Sequence, residues 1–225
     1  LYTLAATLVH TGFLERVGDM YALGKGVVRL SQAVRVNVEI RDRAAPLLRE
    51  LADATHESVY LTVPDGSRVL YVYAIESSHR LQARSAIGDR AHFHSTAVGK
   101  AMLAFMNEDE RARITADVGL PARTPTTITD GEALAKELAT IREQGFSVDH
   151  SENEPNTFCI GAPILDHTGS VIGACSVSGN SDQLITTHLE RTSGVVRDAA
   201  DQISRRMGYV PPRSQTWSRP SDRPQ

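Results

Sequence analysis

Two tight turns, each set between apolar runs, constrain the fold of this chain more than any other feature. Pro64-Asp65-Gly66-Ser67 joins the runs 59–63 and 68–75, and Asp166-His167-Thr168-Gly169 joins the runs 158–165 and 171–178. Asp65-Gly66 between apolar runs is a strong signal for a β-hairpin, which makes the two strands that it joins antiparallel neighbours. Helical patterns come in blocks between these strands rather than after each one. The chain is therefore predicted to be α+β, with a mainly antiparallel sheet flanked by helices.

The spacing of apolar residues predicts helices over 1–10, 24–41, 95–105, 108–116, 130–144 and 183–207, and a further strand over 81–87. Leu4 and Leu8 are expected to face a core. Pro46 would lose a hydrogen bond inside a helix, so a new helix is expected to begin near Arg43. A short hairpin around Gly18 follows the first helix, and helix followed by hairpin is how a winged helix-turn-helix domain ends.

Four parts are expected along the chain. Residues 1–24 are predicted to form part of a winged helix-turn-helix domain, truncated because its first two helices do not precede residue 1. Residues 25–41 suit a linker helix, and 42–210 form the main domain. Residues 211–225 lack a hydrophobic period and are predicted to be a disordered tail. The first residue is not Met, which indicates a piece of a longer protein.

Charge and composition exclude several classes of protein. The net charge of −3 gives no overall nucleic-acid signature, although residues 1–41 carry five basic against three acidic side chains. No apolar run approaches the ~20 residues of a membrane span, and the first residues lack the basic region of a signal peptide. Cys159 and Cys175 both lie in apolar runs, which favours reduced thiols in a cytoplasmic protein.

A candidate anion site lies at the start of the helix after His94. Ser95 and Thr96 come directly before a run of helix formers, and the first amides of a helix carry partial positive charge without an intrahelical partner. The amides of Ala97 and Val98 are therefore expected to bind a carboxylate, with the two hydroxyls adding specificity. The alternative is that Ser95 and Thr96 only cap a structural helix.

Acidic and thiol groups form a second cluster near residue 150. Asp149 is a candidate to hydrogen-bond a hydroxyl or keto hydrate of a ligand. The alternative is that Asp149 is itself a solvated carboxylate at the end of a strand. Cys159 is a candidate thiol donor or a small core residue. Together with His92 and His94 these residues have the ligand types of a zinc site, but such simple pairs often arise by chance, so no metal is expected. No cofactor is expected.

Gly99-Lys100 invites comparison with a phosphate-binding P-loop, and the comparison fails. The motif requires a Gly five residues before Gly99 and Ser or Thr after the lysine, where this chain has His94 and Ala101. Lys100 is therefore expected to be a surface or salt-bridging lysine.

The two clusters together resemble the IclR family of bacterial transcription regulators. The family signature near the second cluster fits at every spacing, and the His-x-Thr-Ala-x-Gly-Lys-Ala segment at 94–101 is the other hallmark. Leu165 departs from it, standing where the family prefers an aromatic residue or His. The signature positions are Gly145, Asp149, Glu152, Cys159, Ile160 and Gly161.

The resemblance implies a GAF-like or profilin-like effector domain, and an effector-controlled repressor or activator that forms a homodimer or homotetramer. It implies a pocket for a small carboxylate or aromatic acid metabolite. The implied lining consists of Ala97, Val98, Asp149, Cys159, Ala91 and the apolar residues of the 81–87 strand, Leu81 and Ala83. Operator DNA is expected to contact the full-length N-terminal domain, here through Tyr2, Thr3, His10 and Arg16.

Three hypotheses compete at this point. The first is a ligand-responsive transcription regulator without enzymatic activity and without membrane partners. The second is a GAF-like enzyme with Cys159 as nucleophile and His94 or His150 as base. The third is a ligand-free oligomerisation module, whose pocket would be filled by side chains.

Overall fold

The computed structural model describes residues 2–27, 35–77 and 87–211, and the chain forms two compact units divided between Asp42 and Arg43. In the first unit, helix α1 (Tyr2–His10) leads into the antiparallel strands β1 (Leu14–Val17) and β2 (Met20–Leu23). The turn between the strands places Gly18 at φ +63°, a conformation that glycine adopts without strain. The predicted helix and hairpin are confirmed.

Leu4 is 64% exposed, so the expectation that it faces a core is wrong. Leu8 is half-buried. In this unit a two-stranded hairpin has too little surface to cover one face of α1. Leu4 therefore stays exposed to solvent, together with several side chains of the hairpin. These exposed apolar side chains are Val17, Met20, Tyr21 and Leu23.

Helix α2 (Arg35–Thr55) runs through Pro46 without a break, so the prediction of a new helix near Arg43 is wrong. Pro46 has no backbone N–H to donate to the carbonyl of Asp42, four residues earlier. Both residues are exposed, so water can bond that carbonyl instead. The buried face beyond the proline, including Leu47 and Leu51, keeps the helix in place. Of the predicted linker helix 25–41, residues 28–34 lie outside the described residues.

The second unit is built on a six-stranded sheet in which every neighbouring pair is antiparallel. Its strand order is β5-β4-β3-β8-β7-β6, which confirms the predicted mainly antiparallel α+β fold. The predicted strand 81–87 lies outside the described residues except for Ile87. The strands are β3 (Ser58–Asp65), β4 (Arg68–Ile75), β5 (Arg90–Ala91), β6 (Ser147–His150), β7 (Phe158–Leu165) and β8 (Val171–Gly179).

Three of the helices in this unit begin at a side-chain cap. Thr96, Asn107 and Asp130 accept backbone N–H bonds at the starts of α3 (Ala97–Phe105), α4 (Glu108–Val118) and α5 (Gly131–Gln144). Gly145 ends α5 at φ +78°, where a left-handed residue closes a helix.

The predicted last helix 183–207 is interrupted. Asp182–Ile185 is a 3₁₀ turn and α6 begins only at Leu189, because Thr186 leaves the helical region at ψ −90° and its hydroxyl bonds back to the Asp182 carbonyl. Adjacent threonines favour helix poorly, which explains the break. Residues 212–225, with most of the predicted tail, lie outside the described residues.

Helices α3 and α6 pack against opposite faces of β7 and β8. Ser147 of β6 bonds the α3 backbone, whereas the Cys175 thiol on β8 faces the Val196 carbonyl of α6. Since side chains alternate along a strand, Ser176 and Ser178 then point to the α3 face. In the described part of the chain, no helix is long and apolar enough to cross a membrane.

Candidate ligand-binding pocket

The first turn of α3 leaves two amides without a protein acceptor. Thr96 caps the helix: its Oγ1 accepts from the Gly99 N–H at 3.1 Å and donates to the His92 carbonyl at 2.9 Å. The Lys100 N–H bonds the Thr96 carbonyl. Among the described residues, the amides of Ala97 and Val98 therefore remain as the helix's free donors.

Close backbone contacts fix this helix start on the sheet. A Cβ on Gly161 of β7 would lie 2.9 Å from the Ala97 carbonyl carbon, so only glycine lets the strand approach this closely. Ser147 Oγ donates to the Ala97 carbonyl at 2.5 Å. The position of the two free amides relative to β6 and β7 is therefore set by backbone packing.

A pocket opens directly beside the two amides. About 400 Å³ of space free of protein atoms lies there, part of it open solvent. Thr96, Ala97, Val98, Asp149 and Cys159, all predicted site residues, lie in its wall. The rest of the lining is Tyr60, Tyr71, Asn153, Glu154, Thr157, Ser176 and Ser178.

Asp149 is the buried carboxyl group of the pocket, only 2% exposed. It sits opposite Cys159 in the β6–β7 pair, and its Oδ1 accepts the Glu152 N–H at 2.7 Å. Burial raises the pKa of Asp149 to about 7, although the backbone bond from Glu152 opposes the rise. Asp149 is thus a buried pocket group rather than a solvated strand end.

Lys100 lies behind the pocket and is 1% exposed, so the alternative of a surface lysine is wrong and the salt-bridging one holds. Its Nζ lies 2.6 Å from Glu152 Oε1 and 3.1 Å from Glu137 Oε1. Burial raises the pKa of Glu152, and the Lys100 charge opposes that rise. The pair ties α3 to the segment that follows β6.

A threonine-rich loop holds the segment 150–157 from outside. Thr127 Oγ1 donates to the Glu152 carbonyl at 2.6 Å, and Thr126 Oγ1 donates to the Ser151 carbonyl at 2.9 Å. The segment needs such support because Ser151 and Asn156 both adopt positive φ, 58° and 56°. Its residues Asn153, Glu154 and Thr157 form one side of the pocket.

The two cysteines have different surroundings. The Cys159 thiol is half-buried in the pocket wall and donates to Ser178 Oγ at 3.1 Å. Cys175 is fully buried, and burial raises the pKa of its thiol to about 12. Only Cys159 is therefore accessible to a ligand.

Several predicted site residues lie elsewhere. Ser95 is buried behind the pocket and donates to Asn153 Oδ1 at 3.0 Å, so it supports the wall. Ala91 pairs with Val69 and packs against the apolar core. Leu81 and Ala83 lie outside the described residues.

The structure does not place His92 and His94 in a metal site. The rings of His92 and His94 meet edge to face with centroids 5.2 Å apart, and His94 Nε2 is 3.1 Å from the Pro121 carbonyl. Burial lowers the pKa of His92 to about 4. Within residues 2–27, 35–77 and 87–211, no group of three His, Cys, Asp or Glu side chains could hold a metal ion.

The candidate DNA contacts lie on the first unit. Thr3, His10 and Arg16 are exposed, and the Arg16 side chain folds over the hairpin turn, bonding the Gly18 carbonyl at 2.9 Å and facing Asp19 at 3.5 Å. The side chain of Tyr2 lies outside the described part.

Sequence reasoning missed seven of the twelve lining residues. Ser176 and Ser178 carried a usable signal, since two serines alternate with Cys175 and Val177 in an otherwise apolar strand. A polar face on a buried strand indicates a lined cavity. Tyr60 and Tyr71 carried no such signal.

The fold places a pocket between the start of α3 and the sheet, an arrangement that suits a domain for binding small molecules. The family model for the C-terminal domain of the bacterial transcriptional regulator IclR matches residues 32–205, and the chain belongs to the IclR family. It is a DNA-binding transcription regulator.

Relatives align over most of the chain. The HTH-type transcriptional regulator KdgR of Escherichia coli K12 is 32% identical over 211 residues, which cover 93% of this chain and 80% of KdgR. KipR of Bacillus subtilis is also 32% identical, over 93% of this chain and 84% of KipR. The Thermotoga maritima IclR crystal structure superposes with a TM-score of 0.82 at 34% identity, covering 92% of this chain and 85% of that one. Since these relatives are named as regulators, the enzyme hypothesis for Cys159 finds no support.

Proposed function

We propose that the pocket binds a small carboxylate or aromatic acid, whose carboxylate accepts hydrogen bonds from the amides of Ala97 and Val98. The observation that carries the proposal is that these two donors lack a protein acceptor and line a pocket. Hydroxyls at Ser176 and Ser178 and the thiol of Cys159 supply further polar contacts for the rest of the ligand. Each bond from an amide to a charged acceptor contributes about 1.5–3 kcal/mol.

One structural neighbour carries a ligand of this class. It is an IclR homologue from Microbacterium hydrocarbonoxydans, in complex with 4-hydroxybenzoate, with a TM-score of 0.83 at 24% identity. At that identity the likeness concerns the fold, so the ligand class proposed here rests on the chemistry of this pocket.

Thermal unfolding with a panel of aliphatic and aromatic acids, each beside its neutral amide, tests the proposal. An acid present at a hundred times its Kd adds about 2.7 kcal/mol of stability, which raises Tm by several degrees. Ala97→Pro removes one amide donor at the first helical position, where proline is favoured, and Thr96 already has the extended backbone that proline requires before it (φ −120°, ψ 147°). Affinity is expected to fall about tenfold or more.

Gly131→Pro is the matched control, because it places the same change at the first position of α5 after an extended Asp130. It should leave the ligand-induced shift intact. The proposal is contradicted if no acid shifts Tm, or if both proline variants bind as the wild type does.

Ligand binding is also expected to protect Cys159 from alkylation. Iodoacetamide should modify Cys159 slowly and leave Cys175 untouched until the chain unfolds, because only Cys159 reaches the pocket. A saturating acid should slow modification of Cys159 at least fivefold, measured by peptide mass spectrometry. Equal rates with and without ligand would place the ligand away from β7.

We infer the finer partners from the family resemblance. The exposed Thr3, His10 and Arg16, together with Tyr2, are the candidate contacts to operator DNA within a full-length N-terminal domain. The regulator is proposed to act as a homodimer or homotetramer in the cytoplasm, where its operator lies.

A further inference from the structure

The pocket proposed for an anion has no cationic side chain in its described lining. Of the twelve lining residues, none is Lys, Arg or His, and two, Asp149 and Glu154, carry carboxyl groups. Within the described lining, the positive potential comes from the α3 amides. A ligand carboxylate therefore enters a site that already holds acidic groups.

Lys100, a buried cation of the described residues near the pocket, is already paired with other carboxylates. Lys100 Nζ contacts Glu152 at 2.6 Å and Glu137 at 3.1 Å, so one ammonium group already faces two carboxylates. It does not line the pocket. Among the described residues of this buried region, two further negative charges, an ionised Asp149 and a bound ligand, would have no counter-charge.

Asp149 is the group that can relieve this excess. It is 2% exposed, so solvent does not screen it, and Oδ1 accepts from the Glu152 N–H. The titratable groups around it come from α3, α5, the segment after β6, and strands β7, β3 and β4. They are Lys100, Glu137, Glu152, Glu154, Cys159, Tyr60 and Tyr71.

We propose that an acidic effector binds together with one proton, which Asp149 takes from solvent and holds as a carboxylic acid. Backbone N–H groups of Glu152 and Asn153 bond the Asp149 carboxyl group, which donates the added proton as a hydrogen bond to the ligand carboxylate. This inference rests on the proposed function, because it requires an anion in the pocket. It makes Asp149 a residue that selects for acids and makes their affinity depend on pH.

The electrostatics of the free protein agree with this coupling. Burial raises the pKa of Asp149 to about 7, so holding the proton near neutral pH costs little. A bound anion stabilises the protonated form further. Above pH 7 each binding event must therefore take up a proton, whereas below pH 7 Asp149 already carries one.

Binding of 4-hydroxybenzoate and of 2-oxobutanoate between pH 6 and pH 8, followed by calorimetry in two buffers of different ionisation enthalpy, tests the inference. Affinity is expected to fall about tenfold from pH 6 to pH 8, with about one proton taken up per ligand at pH 8 and almost none at pH 6. Asp149→Asn mimics the protonated acid and should bind with no pH dependence. Asp182→Asn, an exposed carboxylate on the 3₁₀ turn, should keep the wild-type profile.

The outcomes separate the two proposals. Binding without pH dependence or proton uptake overturns the coupling and leaves the carboxylate pocket standing. Loss of binding by Asp149→Asn at every pH, with its fold intact by circular dichroism, also overturns it, since it would show that the ionised form is needed. If no acid of the thermal-unfolding panel, with these two included, binds at any pH, the proposed function fails and the coupling fails with it.

Discussion

Replacing Lys100 by Met is expected to destabilise the protein by about 3–5 kcal/mol, because it leaves a buried carboxylate without its partner. Glu152 is 5% exposed and its Oε2 has no hydrogen-bond partner in the structure, so Lys100 is its main source of compensation. Urea unfolding at pH 7 measures the loss. The loss should shrink in acid, because Glu152 in the variant has a raised folded-state pKa and regains stability as it becomes protonated.

Two variants make this prediction specific. Lys100→Met combined with Glu152→Gln removes the unpaired charge and should recover a large part of the stability. Lys136→Met on the exposed face of α5 should change stability by less than about 0.5 kcal/mol. A loss that does not depend on pH and is not reduced in the double variant would mean that lost packing, rather than the stranded charge, causes it.

Gly99→Ala is expected to destabilise the protein by about 3 kcal/mol, against the normal helix preference for alanine. A Cβ at Gly99 would lie 2.2 Å from the carbonyl oxygen of Phe93 and 2.4 Å from its Cα. These are backbone atoms, so the helix start or the preceding segment must move. Since that movement displaces the Ala97 and Val98 amides, acid binding should be lost as well, measured by thermal unfolding with and without ligand.

Gly194→Ala makes the same chemical change but is expected to stabilise the protein. Gly194 lies within α6, and an added Cβ meets nothing within 4 Å. Alanine there should stabilise the protein by about 0.5–1 kcal/mol. If both substitutions stabilise, the close contact between α3 and Phe93 does not exist in solution.

Features with a local cause were predictable from the sequence. Thr96 and Asp130 cap helices with their own side chains, Gly145 ends one, and the turn at Gly66 follows from residues beside it in the chain. The helix start and the Asp149–Cys159 pair lay far apart in sequence, and the resemblance, rather than periodicity, brought them into one site.

Features with a distant cause were not predictable. Lys100 is buried because of Glu137 and Glu152, which are 37 and 52 residues away. The glycines at 99 and 161 are required by backbone that only the folded chain brings near. Pro46 remains helical because the buried face of α2 outweighs one lost hydrogen bond, and propensity contains no information about that face.

Because Gly161 of β7 packs against the backbone of α3, the two sides of the pocket differ in what they are made of and in which part of a ligand they contact. The amide side is made of backbone, so a side-chain replacement that keeps the amides of Ala97 and Val98 in place leaves it unchanged. The side formed by residues 153–157 is built from side chains, and threonine hydroxyls hold the two residues that precede it, Ser151 and Glu152. Substitutions at residues 153–157 can therefore change which metabolite the regulator binds, while the α3 amides continue to bind the carboxylate.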